Sequence, residues 1–321
     1  MSDKQPLVSI LIPVYNRETL LKPCIESALA QTYENTEIIV VDNQSTDGTW
    51  DLCREYAAKY PKVKVYQNEE NLGPVRNWLS CMNHASGELG KILFSDDLMY
   101  ETYLEKTVPC LKENVGLVFS GVEIGTERGH GMTSYRYMEH TGSIDSQEFL
   151  VNCLMDKFGL VSPGAALFRL ADLRKNLRYG ENAIPSPSIH DFDRHGAGPD
   201  LLLYLLTAGQ YENVAFVDEV LGLFRAHEDS ISIQDQKQHY LEKCYYQAKI
   251  VYAEEHMPEL AEKIMNRKWL AEIKKNKSWQ GFQRFCQAYT ERPDSYKLRY
   301  GFLVKIVKDK LMGKNKNGES K

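Results

Sequence analysis

The chain has 321 residues, of which 43% are hydrophobic and 26% are charged. This composition is typical of a globular protein with room for one large domain and an extension, or for two domains. The first six residues are polar with no apolar signal region behind them, and no apolar stretch approaches the roughly 20 residues that span a bilayer. We therefore expect a cytoplasmic protein.

The seven cysteines occur singly, with no CxxC spacing and an odd total. They are interpreted as reduced core residues rather than as a metal or redox centre. The net charge of −5 hides an asymmetry, because residues 267–321 hold 15 Lys or Arg against 5 Asp or Glu. The acidic remainder argues against nucleic acid as a partner, and the basic tail suggests contact with an anionic surface.

The first third of the chain alternates strand and helix patterns. Strands are predicted at 7–13, 36–42, 63–68 and 91–95, of which the first and the last are expected to be buried and the third is short. Helices are predicted at 18–31, 47–60 and 73–85, with Asp47 as the cap of the second helix. Such alternation predicts a parallel sheet with helices on both faces. Ligands of these sheets bind beyond the carboxyl ends of the strands.

Polar segments follow all four predicted strands: "VYNR", "DNQSTDG", "NEENLG" and "DD". They are expected to meet at one edge of the sheet and to share a site. The last contains Asp96 and Asp97, whose repulsion needs a cation, hydrogen-bond donors or water to compensate it. A solvated loop with one Asp capping the next helix is the alternative.

The remainder of the chain gives a coarser pattern. We predict a strand at 115–124, a loop or hairpin at 125–146, a helix and then a strand within 147–173, an ordered or substrate-responsive loop at 178–199, a helix at 200–209, a pair of short strands at 211–227, and mostly helix at 235–290.

Several ordered motifs together resemble one known family. "VSILIPVYNRETLLKPCIESALAQTYENTEIIVVDNQSTDGT" and "NLGPVRNWLSCMNHASGELGKILFSDD" resemble the nucleotide-sugar-binding half of glycosyltransferase family 2, and the similarity resumes at 198–232. The resemblance implies an α/β GT-A fold, with a Rossmann-like mixed, mostly parallel sheet flanked by helices. It places a GT-A domain at 1–234, divided into a nucleotide-sugar-binding half at 1–125 and an acceptor-binding half at 126–234, before a helical basic extension at 235–321.

The resemblance also implies a divalent cation, Mg²⁺ or Mn²⁺, that neutralises the departing diphosphate. Asp97 would ligate this metal, and Asp96 would hydrogen-bond the ribose or lie just outside the metal's own ligands. Family members often carry a DxDD pattern here, whereas this chain has the shorter "SDD". His227, in "RAHEDSIS", would be a further metal ligand or a diphosphate contact; a structural histidine is the alternative.

The nucleotide-sugar site implied by the resemblance involves eleven residues. They are Pro13, Val14, Tyr15, Asn16, Arg17, Asp42, Asn71, Gly73, Arg76, Asp96 and Arg225. Asp42 would accept the pyrimidine N3 hydrogen, while Arg76 and Arg225 would reach phosphate. A packed Tyr15, a turn-forming Asp42 and a solvated Arg76 are the ordinary alternatives.

Transfer to an acceptor hydroxyl requires a base, since a neutral alcohol is a poor nucleophile. Asp200 in "GPDLLLYL" matches the family's catalytic carboxylate, although Pro199 stands where the family commonly has Glu. Asp200 could instead cap the helix, in which case Asp191 and Asp193 are the substitute bases.

Together these features predict an inverting, metal-dependent transfer of sugar from a nucleotide sugar to a glycan or lipid-linked saccharide in bacterial surface polysaccharide synthesis. UDP-sugars are the favoured donors, with dTDP-rhamnose as the alternative. A nucleotide-dependent oxidoreductase would need a Gly-rich turn where this chain has "PVYNRETL". A non-catalytic sugar-nucleotide or glycan-binding protein would keep the pocket without a working base.

The C-terminal tail contains a basic amphipathic pattern. Its apolar face comprises Tyr300, Leu303, Val304, Val307 and Leu311. This face predicts either peripheral contact with the inner membrane surface or packing on the catalytic domain.

Overall fold

A computed structural model describes most of the chain. The described residues are 5–158, 162–180, 183–227, 230, 240–276, 281–304 and 306. The chain forms two compact units, the first comprising Met1–Gly180 with Asp191–Tyr245 and the second comprising Glu181–His190 with Tyr246–Lys321. The predicted division at residue 234 stays a prediction.

The N-terminal part of the first unit alternates strands and helices as the sequence predicts. Its elements are β1 (Val8–Val14), α1 (Glu18–Leu29), β2 (Thr36–Asp42), α2 (Thr49–Lys59), β3 (Val63–Gln67), α3 (Pro74–His84) and β4 (Leu89–Ile92). Strands β1 and β2 are buried along their whole length. Continuous runs of Val, Ile and Leu suit these strands, because helices cover both faces of a parallel sheet.

The rest of the first unit completes the sheet and adds helices. Its elements are β5 (Leu98–Met99), α4 (Tyr103–Thr107), β6 (Val115–Gly125), β7 (Met132–Ser134), β8 (Gly142–Asp145), α5 (Ser146–Leu154), β9 (Ala166–Arg169), α6 (Leu170–Asn176), α7 (Pro199–Ala208) and β10 (Asn213–Arg225).

The ten strands of the described chain form one sheet in the order β3–β2–β1–β4–β9–β6–β10–β5, with β7 on β6 and β8 on β10. Strands β1 to β4, β6 and β10 run in one direction, and the short strands β5, β7, β8 and β9 run in the other. The sheet is therefore mixed and mostly parallel, which confirms the predicted fold class.

The prediction of two short strands at 211–227 is wrong, because β10 is one strand of 13 residues. Its register against β6 shifts between Val217 and Val220. Asp218 and Glu219 resemble turn residues in the sequence but occupy this irregular stretch, where Asp218 pairs with Arg136. A β-bulge accommodates such extra residues without ending the strand.

Two smaller expectations also need correction. The strand predicted at 91–95 ends at Ile92, so the acidic pair lies in a turn separated from the strand by three residues. Gly48, not Asp47, is the N-cap of α2. Asp47 instead accepts a hydrogen bond from the Thr49 N–H at 3.0 Å and so still supports the helix start.

Later in the described part of the chain lie the helices α8 (Tyr240–His256), α9 (Pro258–Asn276) and α10 (Phe282–Cys286), and residues 300–304 are also helical. The first turns of α8 belong to the first unit, and its remainder belongs to the second. No helix among the described residues is long and apolar enough to cross a membrane. Val307 and Leu311 of the predicted amphipathic face lie outside the described residues.

Candidate active site

The carboxyl ends of the parallel strands bring the predicted loops to one edge of the sheet. Val14 pairs with Asp42, and Asp42 pairs with Gln67, so β1, β2 and β3 end side by side. Leu93, just beyond β4, donates its N–H to the Leu11 carbonyl of β1 at 2.8 Å. The loops after all four strands therefore start at the same edge, as the sequence predicts.

Hydrogen bonds join the loop after β1 to the loop after β2. The Asn16 N–H donates to Ser45 Oγ and the Thr46 N–H donates to Asn16 Oδ1, each at 2.8 Å. Arg17 donates its N–H to Thr49 Oγ1 at 2.8 Å. Asn16 has a φ of +49°, which an Asn tolerates better than most residues. Tyr15 is left 41% exposed at the rim, where a flat ligand could stack on it.

Asp42 lies at the end of β2 and is fully buried. One carboxylate oxygen accepts the Ser45 hydroxyl, and the other accepts Gln67 Nε2 at 2.8 Å and the Ser45 N–H at 3.2 Å. These local hydrogen bonds fix the orientation of the Asp42 carboxylate. An aspartate that only stabilises a turn would make similar hydrogen bonds. The predicted contact of Asp42 with a pyrimidine stays a prediction.

A cluster of asparagine side chains supports the loop before α3. Asn43 donates to Asn71 Oδ1 at 2.8 Å and accepts from Asn68 at 2.9 Å, while Asn68 also donates to Asn77 at 3.0 Å. Gly73 follows at a φ of +78° and donates its N–H to Asn71. The sequence analysis named Asn71 and Gly73 but missed Asn43, Asn68 and Asn77. The high Asn content of the segments after β2 and β3 was the available signal.

Arg76, in the first turn of α3, forms an ion pair with Asp193, with 3.2 Å between Nε and Oδ2. The same carboxylate oxygen accepts the Gly180 N–H at 2.8 Å. The Arg76 side chain remains about half exposed, so a phosphate could compete for it. Asp193, one of the substitute bases, is therefore already engaged with a cation.

Arg225, at the end of β10, holds the acidic turn in place. Its backbone N–H donates to Asp97 Oδ1 at 3.1 Å, and its guanidinium donates to the carbonyls of Leu20, Ser95 and Asp96. The arginine thus bonds mainly to backbone oxygens. Its contact with phosphate stays a prediction. The hydrogen bonds in the structure show that Arg225 also stabilises the acidic turn.

The acidic pair divides into a buried and a more exposed carboxylate. Asp97 is buried, and burial together with the neighbouring Asp96 charge raises the pKa of Asp97 well above its usual range; Arg225 and Lys91 act in the opposite direction. Asp96 Oδ2 lies 3.0 Å from His227 Nε2. The structure therefore places His227 against Asp96, whereas the sequence grouped it with Asp97.

Lys91 lies beneath the acidic turn and is a residue that sequence reasoning missed. It is 1% exposed, donates from Nζ to the Gly164 carbonyl, and lies 4.3 Å from the centre of the Tyr103 ring. Lys91, Gly164 and Asp97 are among the residues that line one small cavity. Burial lowers the pKa of Lys91 to about 7, and the Asp97 charge opposes that shift. A lone Lys in an apolar strand was the only sequence signal.

Within the described part of the chain, no group of three or more His, Cys, Asp or Glu side chains is arranged to hold a metal. The donors present still fit a hard cation, because Mg²⁺ and Mn²⁺ often use one or two protein carboxylates together with phosphate oxygens and water. The acidic turn supports this fit, because Asp96 and Asp97 place two carboxylates next to each other and such oxygens are the ligands that hard cations prefer.

Asp200 lies in the first turn of α7 and is buried. Its Oδ1 accepts the N–H groups of Gly198 at 2.8 Å and Leu201 at 2.6 Å, and its Oδ2 accepts the Tyr245 hydroxyl at 2.9 Å. Burial raises the pKa of Asp200 to about 7, although these hydrogen bonds oppose the shift. A carboxylate with this pKa can exchange protons near neutral pH, as a general base must.

Side chains and backbone connect Asp200 to the acidic turn. Asp200 donates its N–H to the Gly196 carbonyl at 3.1 Å. Gly196 lies so close to the Trp78 ring that an added Cβ would be 2.6 Å from it. Trp78 packs in turn on Phe94 at 5.5 Å between ring centres, and Phe94 accepts the Asp97 N–H. A series of direct contacts within the first unit therefore links the two acidic regions.

The architecture is that of the GT-A glycosyltransferases. It matches the crystal structure of S. aureus TarS in complex with UDP-GlcNAc with a TM-score of 0.62 and 20% sequence identity, covering 90% of this chain and 83% of that one. The sequence of residues 9–177 matches the family described as glycosyl transferase family 2. Because this match spans more than half of the chain, the chain belongs to this family of glycosyltransferases.

Individual relatives are similar over parts of their length. The Bacillus subtilis protein named as glycosyltransferase EpsE is 38% identical over 110 residues, which are 34% of this chain and 40% of EpsE. TuaG of the same organism, named for teichuronic acid biosynthesis, is 27% identical over 157 residues, which are 48% of this chain and 62% of TuaG. The chain spans less than half the length of the first relatives that it matches.

Proposed function

We propose that this protein transfers a sugar from a nucleotide sugar to a saccharide hydroxyl with inversion at the anomeric carbon. The observation that carries the proposal is the pairing, in one unit, of an acidic turn at Asp96 and Asp97 with a buried Asp200 whose pKa is raised to about 7. The first region suits a diphosphate with its cation, and the second suits a base.

In the proposed step the acceptor oxygen attacks the anomeric carbon from the face opposite the nucleotide. The bond between that carbon and the diphosphate oxygen breaks, and the diphosphate leaves with the bonding electrons. Asp200 takes the proton of the acceptor hydroxyl. Single displacement of this kind inverts the anomeric configuration, so an α-linked donor yields a β-linked product.

We propose Asp97 and His227 as the protein ligands of Mg²⁺ or Mn²⁺. The cation would stabilise negative charge on the departing diphosphate. Because His227 Nε2 contacts Asp96, metal binding through Nε2 would require that hydrogen bond to open, whereas binding through Nδ1 would leave it in place. Arg76 is proposed as a further phosphate contact, since half of its side chain is exposed at the start of α3.

UDP-sugars are the proposed donors, and dTDP-rhamnose is the alternative. The TarS structures support UDP, because TarS was crystallised in complex with UDP and with UDP-GlcNAc. The name of TuaG supports an acceptor among bacterial surface polysaccharides. We also propose a cytoplasmic location with peripheral contact between the basic tail and the membrane, which rests on the 15 basic residues of 267–321.

Calorimetric titration with UDP, dTDP and GDP, each with Mn²⁺, Mg²⁺ or EDTA, tests the donor and the metal. We expect one nucleotide to bind at least tenfold more tightly with metal, and Asp97→Asn to abolish that gain. Asp51→Asn is the matched control, because Asp51 is exposed on α2. Equal affinity with metal and with EDTA in the wild-type protein would contradict the metal assignment.

A further inference from the structure

The start of helix α8 contacts the segment that carries the proposed base. Tyr245 donates its hydroxyl to Asp200 Oδ2 at 2.9 Å. Two preceding side chains of the helix contact the same segment, since Tyr240 donates to Asp191 and Cys244 Sγ lies 3.8 Å from His195 Nε2. All these residues lie in the first unit, and all of them lie beyond the residues 9–177 that match the family.

The two oxygens of Asp200 have different partners. Backbone N–H groups occupy Oδ1, whereas the Tyr245 hydroxyl is the side-chain donor to Oδ2. A carboxylate oxygen has two lone pairs, so Oδ2 can accept the hydrogen bond from Tyr245 on one and take up the proton of an acceptor hydroxyl on the other. Tyr245 thereby fixes the direction in which the second lone pair of Oδ2 points.

Two tyrosines close to Asp200 are weak acids that stay neutral at pH 7. Burial raises the pKa of Tyr204 and of Tyr245 well above the usual range, and the Asp200 charge contributes in both cases. Tyr135 and Cys244 also act electrostatically on Tyr245. At neutral pH Tyr245 is therefore a hydrogen-bond donor to Asp200 and does not exchange its own proton.

We propose that Tyr245 is the positioning residue of the catalytic base, so that helix α8 completes the active site with a hydroxyl directed at Asp200. This inference rests on the proposed transferase function. The Tyr245 hydrogen bond favours the ionised form of Asp200 and holds Oδ2 in one orientation.

The test is the pH profile of kcat for sugar transfer in the full chain. Tyr245→Phe keeps the ring and removes the hydroxyl, so we expect a loss of about tenfold at pH 7 with an unchanged KM for the donor. The acidic limb of the profile, where kcat falls as Asp200 becomes protonated, should move to higher pH by about one unit. Activity should recover at pH values above the shifted limb. A packing role alone would lower activity at every pH without moving the limb.

Tyr240→Phe is the matched control, because Tyr240 donates from the same helix to Asp191. We expect it to leave the limb in place; a shift with Tyr240→Phe and none with Tyr245→Phe would overturn the proposal in favour of Asp191. If Tyr245→Phe does not fold, 3-fluorotyrosine at 245 replaces it. A more acidic phenol strengthens the bond and should move the limb to lower pH.

Failure of the inference can be distinguished from failure of the proposed function. An active wild-type enzyme whose profile is unmoved by Tyr245→Phe and by 3-fluorotyrosine overturns the positioning role alone. A wild-type protein that turns over no nucleotide sugar with any saccharide acceptor contradicts the transferase function and, with it, any role for Tyr245.

Discussion

At the scale of single residues, burial makes Asp200 costly to the fold and useful to the chemistry. Its pKa is raised to about 7 in the folded protein, against about 3.8 for an ordinary aspartate. The folded state therefore holds its proton over a range where the unfolded state has lost it. The resulting stabilisation is present below about pH 4 and disappears as the pH rises through 7.

Asp200→Asn should therefore abolish transfer and stabilise the fold at pH 8. Removing the buried charge should raise the free energy of unfolding by about 2–4 kcal/mol, and this gain should vanish below about pH 4. Urea unfolding of both proteins between pH 4 and 8 measures this change. The exposed Asp51→Asn should show no such pH dependence, and a destabilised Asp200→Asn at pH 8 would contradict the account.

Glu37 shows the opposite behaviour. Burial alone would raise its pKa, but hydrogen bonds from Lys64, Ser9 and Ser86 outweigh burial and lower the pKa to about 2. The carboxylate oxygens lie 2.6 Å from Lys64 Nζ, from Ser9 Oγ and from the Ser86 N–H. Its stabilisation is therefore present above about pH 4.5 and is lost as the pH falls towards 2.

Glu37→Gln should lower the free energy of unfolding at pH 7 by about 3 kcal/mol, because the glutamine cannot pair with Lys64. The difference from wild type should shrink as the pH falls from 5 to 2. Urea unfolding across that range checks it, with the exposed Glu113→Gln as control. A constant difference at all pH values would mean that the carboxylate charge is not the cause.

At the scale of elements, helix α3 depends on the conformation of the glycine before it. Gly73 has a φ of +78°, and an added Cβ would lie 2.9 Å from the Asp193 carbonyl oxygen. Both the backbone angle and the close approach disfavour any side chain there. The sequence predicted the helix and named Gly73, but it could not show the contact with Asp193, which lies 120 residues further on.

Gly73→Ala should therefore destabilise the protein by about 1–3 kcal/mol and weaken nucleotide binding, because the loop before α3 must move. Thermal unfolding and nucleotide titration measure the two effects. Gly301→Ala is the control, since an added Cβ there meets open space. Unchanged stability in Gly73→Ala would show that the loop relaxes without cost.

At the scale of the whole molecule, local patterns predicted the β/α alternation and the edge at which the loops meet. The elements that the sequence missed depend on distant contacts. Strand β10 stays one strand because it pairs with β6 on both sides of its register shifts, and β6 lies about 100 residues earlier in the chain. Lys91 and Tyr245 could not be assigned from the sequence, because their partners Gly164 and Asp200 come together only in the folded chain.

The charge asymmetry of the whole chain gives a separate prediction. If the basic residues of 267–321 contact a membrane surface, the protein should sediment with vesicles containing anionic lipid and should dissociate at 0.5 M salt. Vesicles of neutral lipid are the control. Equal binding to both kinds of vesicle, or binding to neither, would contradict peripheral attachment through charge.

The most direct test of the account is mass-spectrometric detection of sugar transfer to saccharide acceptors from a panel of UDP-, dTDP- and GDP-sugars. The wild-type protein with Mg²⁺ or Mn²⁺ should form a glycosylated acceptor and one equivalent of nucleoside diphosphate. Asp200→Asn should bind the same nucleotide without forming product, while Asp51→Asn should match the wild type. Product formation by Asp200→Asn, or nucleotide binding without any transfer by the wild type, would contradict the central claim.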